Sequence, residues 1–329
     1  MILTTPASRR SEKKWTQASQ TRGIIRKLMS IQRQAALLIT GAMTTTATDI
    51  LNIHAALLPL PLEIERHQHR AAIRLLTLPE EHPLSDRIKD GARNQRRTYH
   101  FSPIHDLMAR YGLKPNYMEK RRAVRYEASW DPKLTVNIWE GFQGYVGTSA
   151  ILYRNGQETN AICYRLGSDK YHEVYEGVCV GLILALHLAR EEELAESISI
   201  WADSTAAIAA TDTNKSGSSH YLLDIFHHAL TALQACHPDI PVTISWIPGH
   251  IGVEGNERAD QEAKKATTGR SSQKEKLPTQ LHRPLPHSQT ATICTFRQKL
   301  EKHHNKQWRK SPRFAQFQCI DPSDATTAS

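Results

Sequence analysis

Three residues have the types and spacing from which hydrolytic chemistry can be built: Asp203, His250 and Asp260. Asp203 closes the apolar run "SISIWAD", which reads as a buried strand, and the carboxyl ends of strands are where ligands sit in α/β folds. His250 and Asp260 belong to "WIPGHIGVEGNERAD", where a strand ends at Trp246, Pro248 and Gly249 turn the chain, and residues 256–260 open a helix. A carboxylate at a strand end, a second on a helix and a histidine on a loop are parts of a metal-assisted hydrolase. In such a site two Mg²⁺ ions about 3.5 to 4 Å apart clamp the attacking and leaving oxygens of a phosphodiester. Mg²⁺ prefers carboxylate oxygens and retained waters to His or Cys. A plainer alternative stands beside this for Asp203: with Ser and Thr next in the chain, its side chain could cap the following helix.

The elements that must position these residues follow from periodicity. From Leu134 the pattern is α/β, in the order β-β-β-α-β-α-α-β-α. "LTVNI", "YVGTSAILYR" and "NAICYRL" form an antiparallel meander with the turn "NGQE", followed by the apolar helix "HEVYEGVCVGLILALHLAREEELAE". Then come "SISIWAD", a short helix near Thr205, the helix "SHYLLDIFHHALTALQAC", the strand "VTISWI" and a last helix through Asp260. Upstream, "RGIIRKLMSIQRQAALLIT" carries Ile24, Leu28, Ile31, Ala35 and Leu38 at helical steps and ends at Gly41. "TATDILNIHAALL" and "LEIERHQHRAAIRLLTL" read as two further helices. Residues 1–21 lack an apolar period and are expected to be disordered; 22–80 form a helical segment. Residues 81–133 read as a basic linker with one short helix at "SPIHDLMARYGL", 134–267 as the α/β domain, and 268–329 as a basic tail with one helix. In the linker, Tyr99, Phe101 and Tyr126 among Arg and Lys could stack bases, or the segment could simply be solvated. The tail helix "TFRQKLEKHHNKQWRK" leaves the same two alternatives.

The chain of 329 residues carries 42 Lys and Arg against 33 Asp and Glu, +9, which fits an anionic partner such as nucleic acid. The excess is uneven: residues 131–266 hold 18 acids and 9 bases, so the flanks carry +18. Five scattered cysteines without a C-x-x-C spacing indicate neither a disulfide framework nor a zinc site. No stretch approaches the roughly 20 apolar residues of a membrane span. The opening residues lack a secretory pattern, so the expected location is intracellular, nucleus or cytoplasm, and not secreted.

"IWADSTAAIAA", "VYEGVCVGLILALHLA" and, most specifically, "GHIGVEGNERAD" give the α/β region a resemblance to a type 1 ribonuclease H domain. With "RKLMSIQRQAALLITGAMTTTATDILN", "LPLPLEIERHQHRAAIRLLTLP" and "WRKSPRFAQFQCIDPS", the chain resembles the C-terminal part of a fungal-type non-LTR retrotransposon polyprotein, after its reverse transcriptase core. The resemblance implies an RNase H-like mixed sheet flanked by helices and preceded by an α-helical segment. It implies cleavage of the RNA strand of an RNA–DNA hybrid by metal-activated water, with Mg²⁺ or Mn²⁺ as cofactor. The family's metal-binding aspartates fall on Asp203 and Asp260, and its loop histidine on His250.

Two further metal ligands of the family are replaced. The first-strand aspartate position becomes Ile138, because "LTVNI" runs directly into "WEGFQGYVG"; the join at Ile138 and Trp139 reads as a deletion of the first strand or a misplaced exon boundary. Glu140, two residues on, is a candidate substitute ligand, displaced by about 6.6 Å along a strand. The helix glutamate position holds Val178, and Glu176 lies about 200° around the helix from it. Two carboxylates in place of four weaken the hold on two divalent ions, so a catalytically degenerate nucleic-acid-binding remnant is the alternative.

Overall fold

The computed structural model describes residues 19–93, 103–122, 146–192, 195–212, 217–248 and 253–320. Eleven helices lie among them: α1 (Ser19–Thr40), α2 (Thr48–His54), α3 (Leu60–Leu76), α4 (Ser85–Arg93), α5 (Pro103–Tyr111), α6 (Val174–Arg190), α7 (Thr205–Thr211), α8 (His220–Cys236), α9 (Glu254–Thr268), α10 (Gln289–Trp308) and α11 (Phe314–Gln318). Four strands join them: β1 (Val146–Arg154), β2 (Gln157–Gly167), β3 (Ile198–Ala202) and β4 (Val242–Trp246). Two compact units emerge, Met1–His67 with Lys299–Ser329, and Gln68–Gln298. No described helix is long and apolar enough to cross a membrane.

In the first unit, α1 ends at Gly41, whose φ of +62° suits a residue without a Cβ. Arg33 holds the turn that follows, donating to the Thr44 and Thr46 carbonyls at 2.7 and 2.8 Å and to Thr48 Oγ1 at 2.8 Å. The helix ends where periodicity puts it but begins at Ser19, inside the stretch expected to be disordered, and its apolar stripe is not its packing face. Ile24, Leu28, Ile31 and Leu38 are 60, 42, 60 and 86% exposed, while Ala36 is fully buried.

The second unit holds the α/β architecture. Asn155 and Gly156, both at positive φ, make the two-residue turn of the β1–β2 hairpin, whose strands pair antiparallel from Val146↔Gly167 to Arg154↔Gln157. An Asn-Gly pair suits this turn because its twist matches the twist of the strands. β3 and β4 pair in parallel, Ile198↔Val242 through Ala202↔Trp246, with α7 and α8 as the crossover. The first strand of the expected meander, residues 134–138, lies outside the described residues, as do residues 1–18, Ile138, Trp139, Glu140, Tyr99, Phe101 and Tyr126. The described strands therefore form two two-stranded sheets.

β1 is covered on both faces. Val146, Thr148 and Ala150 point toward the apolar helix α6, where Gly177 and Gly181 permit close approach: a Cβ at Gly181 would lie 2.8 Å from Thr148 Oγ1. The intervening positions face α9, where a Cβ at Gly147 would lie 2.5 Å from the Ala263 carbonyl oxygen. Around this contact the core gathers Leu182, Ile183, Leu184 and Leu186 of α6, Ile200, Ile244, and Leu222, Leu223 and Phe226 of α8.

The flanks contribute more than periodicity suggested. Helix α4 lies in the segment read as a basic linker, and the segment read as a tail with one helix holds both α10 and α11. Leu277, Leu281 and Leu285, beyond α9, are buried in the main core. A buried carboxylate ties these segments in: Glu119, 1% exposed, accepts from the Ser219 and Gln289 N–H groups, each at 2.5 Å, and from Ser218 Oγ at 2.8 Å. It thereby closes the N-termini of α8 and α10 at once, a placement favoured by the helix dipoles. Burial raises the Glu119 carboxyl above its ordinary value despite these donors. Removing the carboxylate leaves two buried helix-terminal N–H groups without their acceptor. Glu119→Ala is expected to lower unfolding free energy by about 3 kcal/mol, measured by urea denaturation.

Candidate functional site

Asp203 stands one residue beyond β3 and is half-buried. The cap of α7 is Ser204, not Asp203: Ser204 Oγ accepts from the Ala207 N–H at 3.4 Å. Among the described residues nothing hydrogen-bonds to the Asp203 carboxylate, and Ser204 holds the cap in its place. Its neighbour across the parallel pair is the end of β4. Ala202 pairs with Trp246, and the Ile247 N–H donates to the Ala202 carbonyl at 3.0 Å. Because β3 and β4 run in parallel, Asp203 and the chain leaving β4 emerge at the same end, the carboxyl end where α/β folds place ligands. His250, four residues beyond Trp246, lies outside the described residues.

Asp260 is half-buried on α9, which begins at Glu254. Two contacts from the hairpin hold this stretch of α9. Ser149 Oγ of β1 donates to the Ala259 carbonyl at 2.7 Å. Arg258 reaches Glu158 of β2 through two N–H···O bonds of 3.0 Å and also reaches Glu262 at 2.5 Å. A two-pronged guanidinium–carboxylate pair fixes orientation as well as distance. Small residues at alternate β1 positions, Gly147 and Ser149, were the available sequence signal for this close approach. No motif marks them.

Among the described residues, the helix position that the resemblance assigns to a carboxylate holds Val178. Val178 is half-buried and packs on the apolar core. Glu176 is fully buried at the start of α6, where its carboxylate accepts the Glu173 N–H at 2.9 Å and lies 3.3 Å from His172 Nδ1. Its role is to close the helix terminus. Among the described residues no group of three or more His, Cys, Asp or Glu could hold a metal ion. The described donor set, Asp203 and Asp260, does not fit a two-ion site.

Residues 150–268 match the protein-family model of RNase H. No curated protein matches the chain, and no solved structure matches it. The matched residues include both Asp203 and Asp260 and run from the middle of β1 to the end of α9, so the α/β fold here is RNase H-like.

The position of Asp260 depends on how closely α9 lies on β1. A methyl group at residue 147 meets the backbone of α9, which cannot yield as a flexible side chain can. Gly147→Ala is expected to destabilise the protein by about 1–3 kcal/mol, read as a lower urea midpoint with an unchanged slope.

Proposed function

We propose that the RNase H-like domain acts on RNA–DNA hybrids as an endoribonuclease, within a fragment of a retrotransposon polyprotein. The observation that carries this reading is Asp203: a half-buried carboxylate at the carboxyl end of the parallel strand pair, with the helix cap beside it supplied by Ser204 instead. The family match over residues 150–268 and the anchoring of α9, which carries Asp260, support it. In this reading Asp203 and Asp260 are the carboxylates of the site and His250 the loop base that assists proton movement. Hybrid selectivity comes from duplex shape and 2′-hydroxyl contacts rather than base edges. The retroelement context rests on the resemblance of the flanking segments. Nuclear or cytoplasmic residence accompanies that context.

A second reading is favoured by Val178 and by the engagement of Glu176 at its helix terminus: the domain binds hybrids and does not cut them. Incubation of the chain with a labelled hybrid across Mg²⁺ and Mn²⁺ concentrations separates the two. Cleavage that Asp203→Asn abolishes is the expected result; salt-dependent hybrid binding with no cleavage at any concentration supports the second reading, and no hybrid binding removes both. Val178→Glu returns a carboxylate to the helix wall. It should tighten Mn²⁺ binding roughly tenfold, the scale on which partners of a metal site act, as measured by calorimetry.

A further inference from the structure

The second half of α10 and the turn beyond it carry an uncommitted row of positive charge. Residues 299–320 contain six Lys and Arg and one acid, Glu301. Lys299, Lys302 and Lys306 on the helix, and Arg309 and Lys310 in the turn just past it, are all exposed. At about 100° per residue the three helical lysines fall within an arc of roughly 60°. The facing arc holds Leu300 and Trp308, 4 and 5% exposed, and the Trp308 ring meets Phe314 and Phe317 edge-on at 5.7 and 5.4 Å. That buried side fixes the rotation of the helix and turns the cations outward.

Several cations elsewhere among the described residues are matched. Arg258 is paired with Glu158 and Glu262, Lys265 with Glu262, Lys89 with Glu80, and Arg313, just past the row, with Asp49. Among the described residues none of Lys299, Lys302, Lys306, Arg309 and Lys310 has an ion-pair partner. Like charges three and four residues apart destabilise a helix. The row contains several such pairs, and a polyanion laid along it relieves that repulsion.

We propose that this face of α10 binds the phosphate backbone of a nucleic-acid duplex, without reading sequence, at a place outside the RNase H-like site. Lys299 to Lys306 extends about 10 Å along the helix, and Arg309 and Lys310 continue the charge past its end, enough to follow a run of phosphates. An anionic membrane fits less well. An interfacial helix needs an exposed apolar face beside its charges, and here Leu300 and Trp308 are buried in the protein. All the residues involved lie beyond the family match at 150–268, so the proposal does not depend on hybrid cleavage.

The test uses the full chain and a fluorescent all-DNA duplex, which a hybrid ribonuclease does not cut, with binding followed by anisotropy across NaCl concentrations. Wild type and Asp203→Asn should bind alike, with affinity falling as salt rises. The triple variant Lys302→Gln, Lys306→Gln, Lys310→Gln should bind at least tenfold more weakly, and the slope of log K against log salt should become shallower by about 0.9 for each phosphate no longer neutralised. Replacing the same three by Arg should preserve both affinity and slope, and matching thermal melts exclude unfolding as the cause. Unchanged binding in the Gln variant, equal weakening in the Arg variant, no binding of wild type at low salt, or binding only to anionic vesicles or an acidic polypeptide overturns the proposal. Loss of hybrid cleavage in Asp203→Asn with DNA binding intact leaves it standing.

Discussion

The burial of β1 on both faces is the constraint on which the rest of the α/β unit depends. One face takes α6 through Gly177 and Gly181, the other takes α9 through Gly147, and a Cβ would lie 2.8 Å from the facing element at Gly181 and 2.5 Å from it at Gly147. The strand therefore sets two helix positions at once. α6 carries Val178, at the helix position that the resemblance assigns to a carboxylate, and α9 carries Asp260. Hydrogen bonds from Ser149 and Arg258 then hold α9 along its axis, where apolar packing alone would leave it free to slide.

A second constraint extends the unit past the RNase H-like core. Glu119 lies before β1 in sequence and Gln289 lies after α9, yet one carboxylate joins them and ties both to the start of α8. The Ser288 hydroxyl adds a link to Glu173 at the start of α6, at 2.8 Å. Four segments distant in sequence thus meet in one polar cluster, and a buried cluster of this kind holds its arrangement only while every donor keeps its acceptor.

Local chemistry made much of this legible. The Asn155–Gly156 turn, the strands ending at Ala202 and Trp246, and the helix through Asp260 follow from turn preference and periodicity; the parallel pairing of the two strands does not. The Asp203 ambiguity was also local; a Ser directly after it was a competing cap, and that Ser took the role. What escaped was set by distant partners. Nothing near Glu119 in sequence announces that Ser219 and Gln289, 100 and 170 residues away, will donate to it. The stripe on α1 has the period of a packing face, but period says only which residues share a side, and which side finds a neighbour is decided by the fold.

The division of labour between Ser204 and Asp203 separates two histories that a lineage of such chains could record. Ser204 caps α7 and Glu119 accepts from the N-termini of α8 and α10, so both positions serve the fold itself. Among the described residues nothing hydrogen-bonds to the Asp203 carboxylate. Under the proposed function, loss of cleavage would free Asp203 to drift at little cost to the folded state, and its persistence or decay among descendants would date the end of the chemistry separately from the end of the protein.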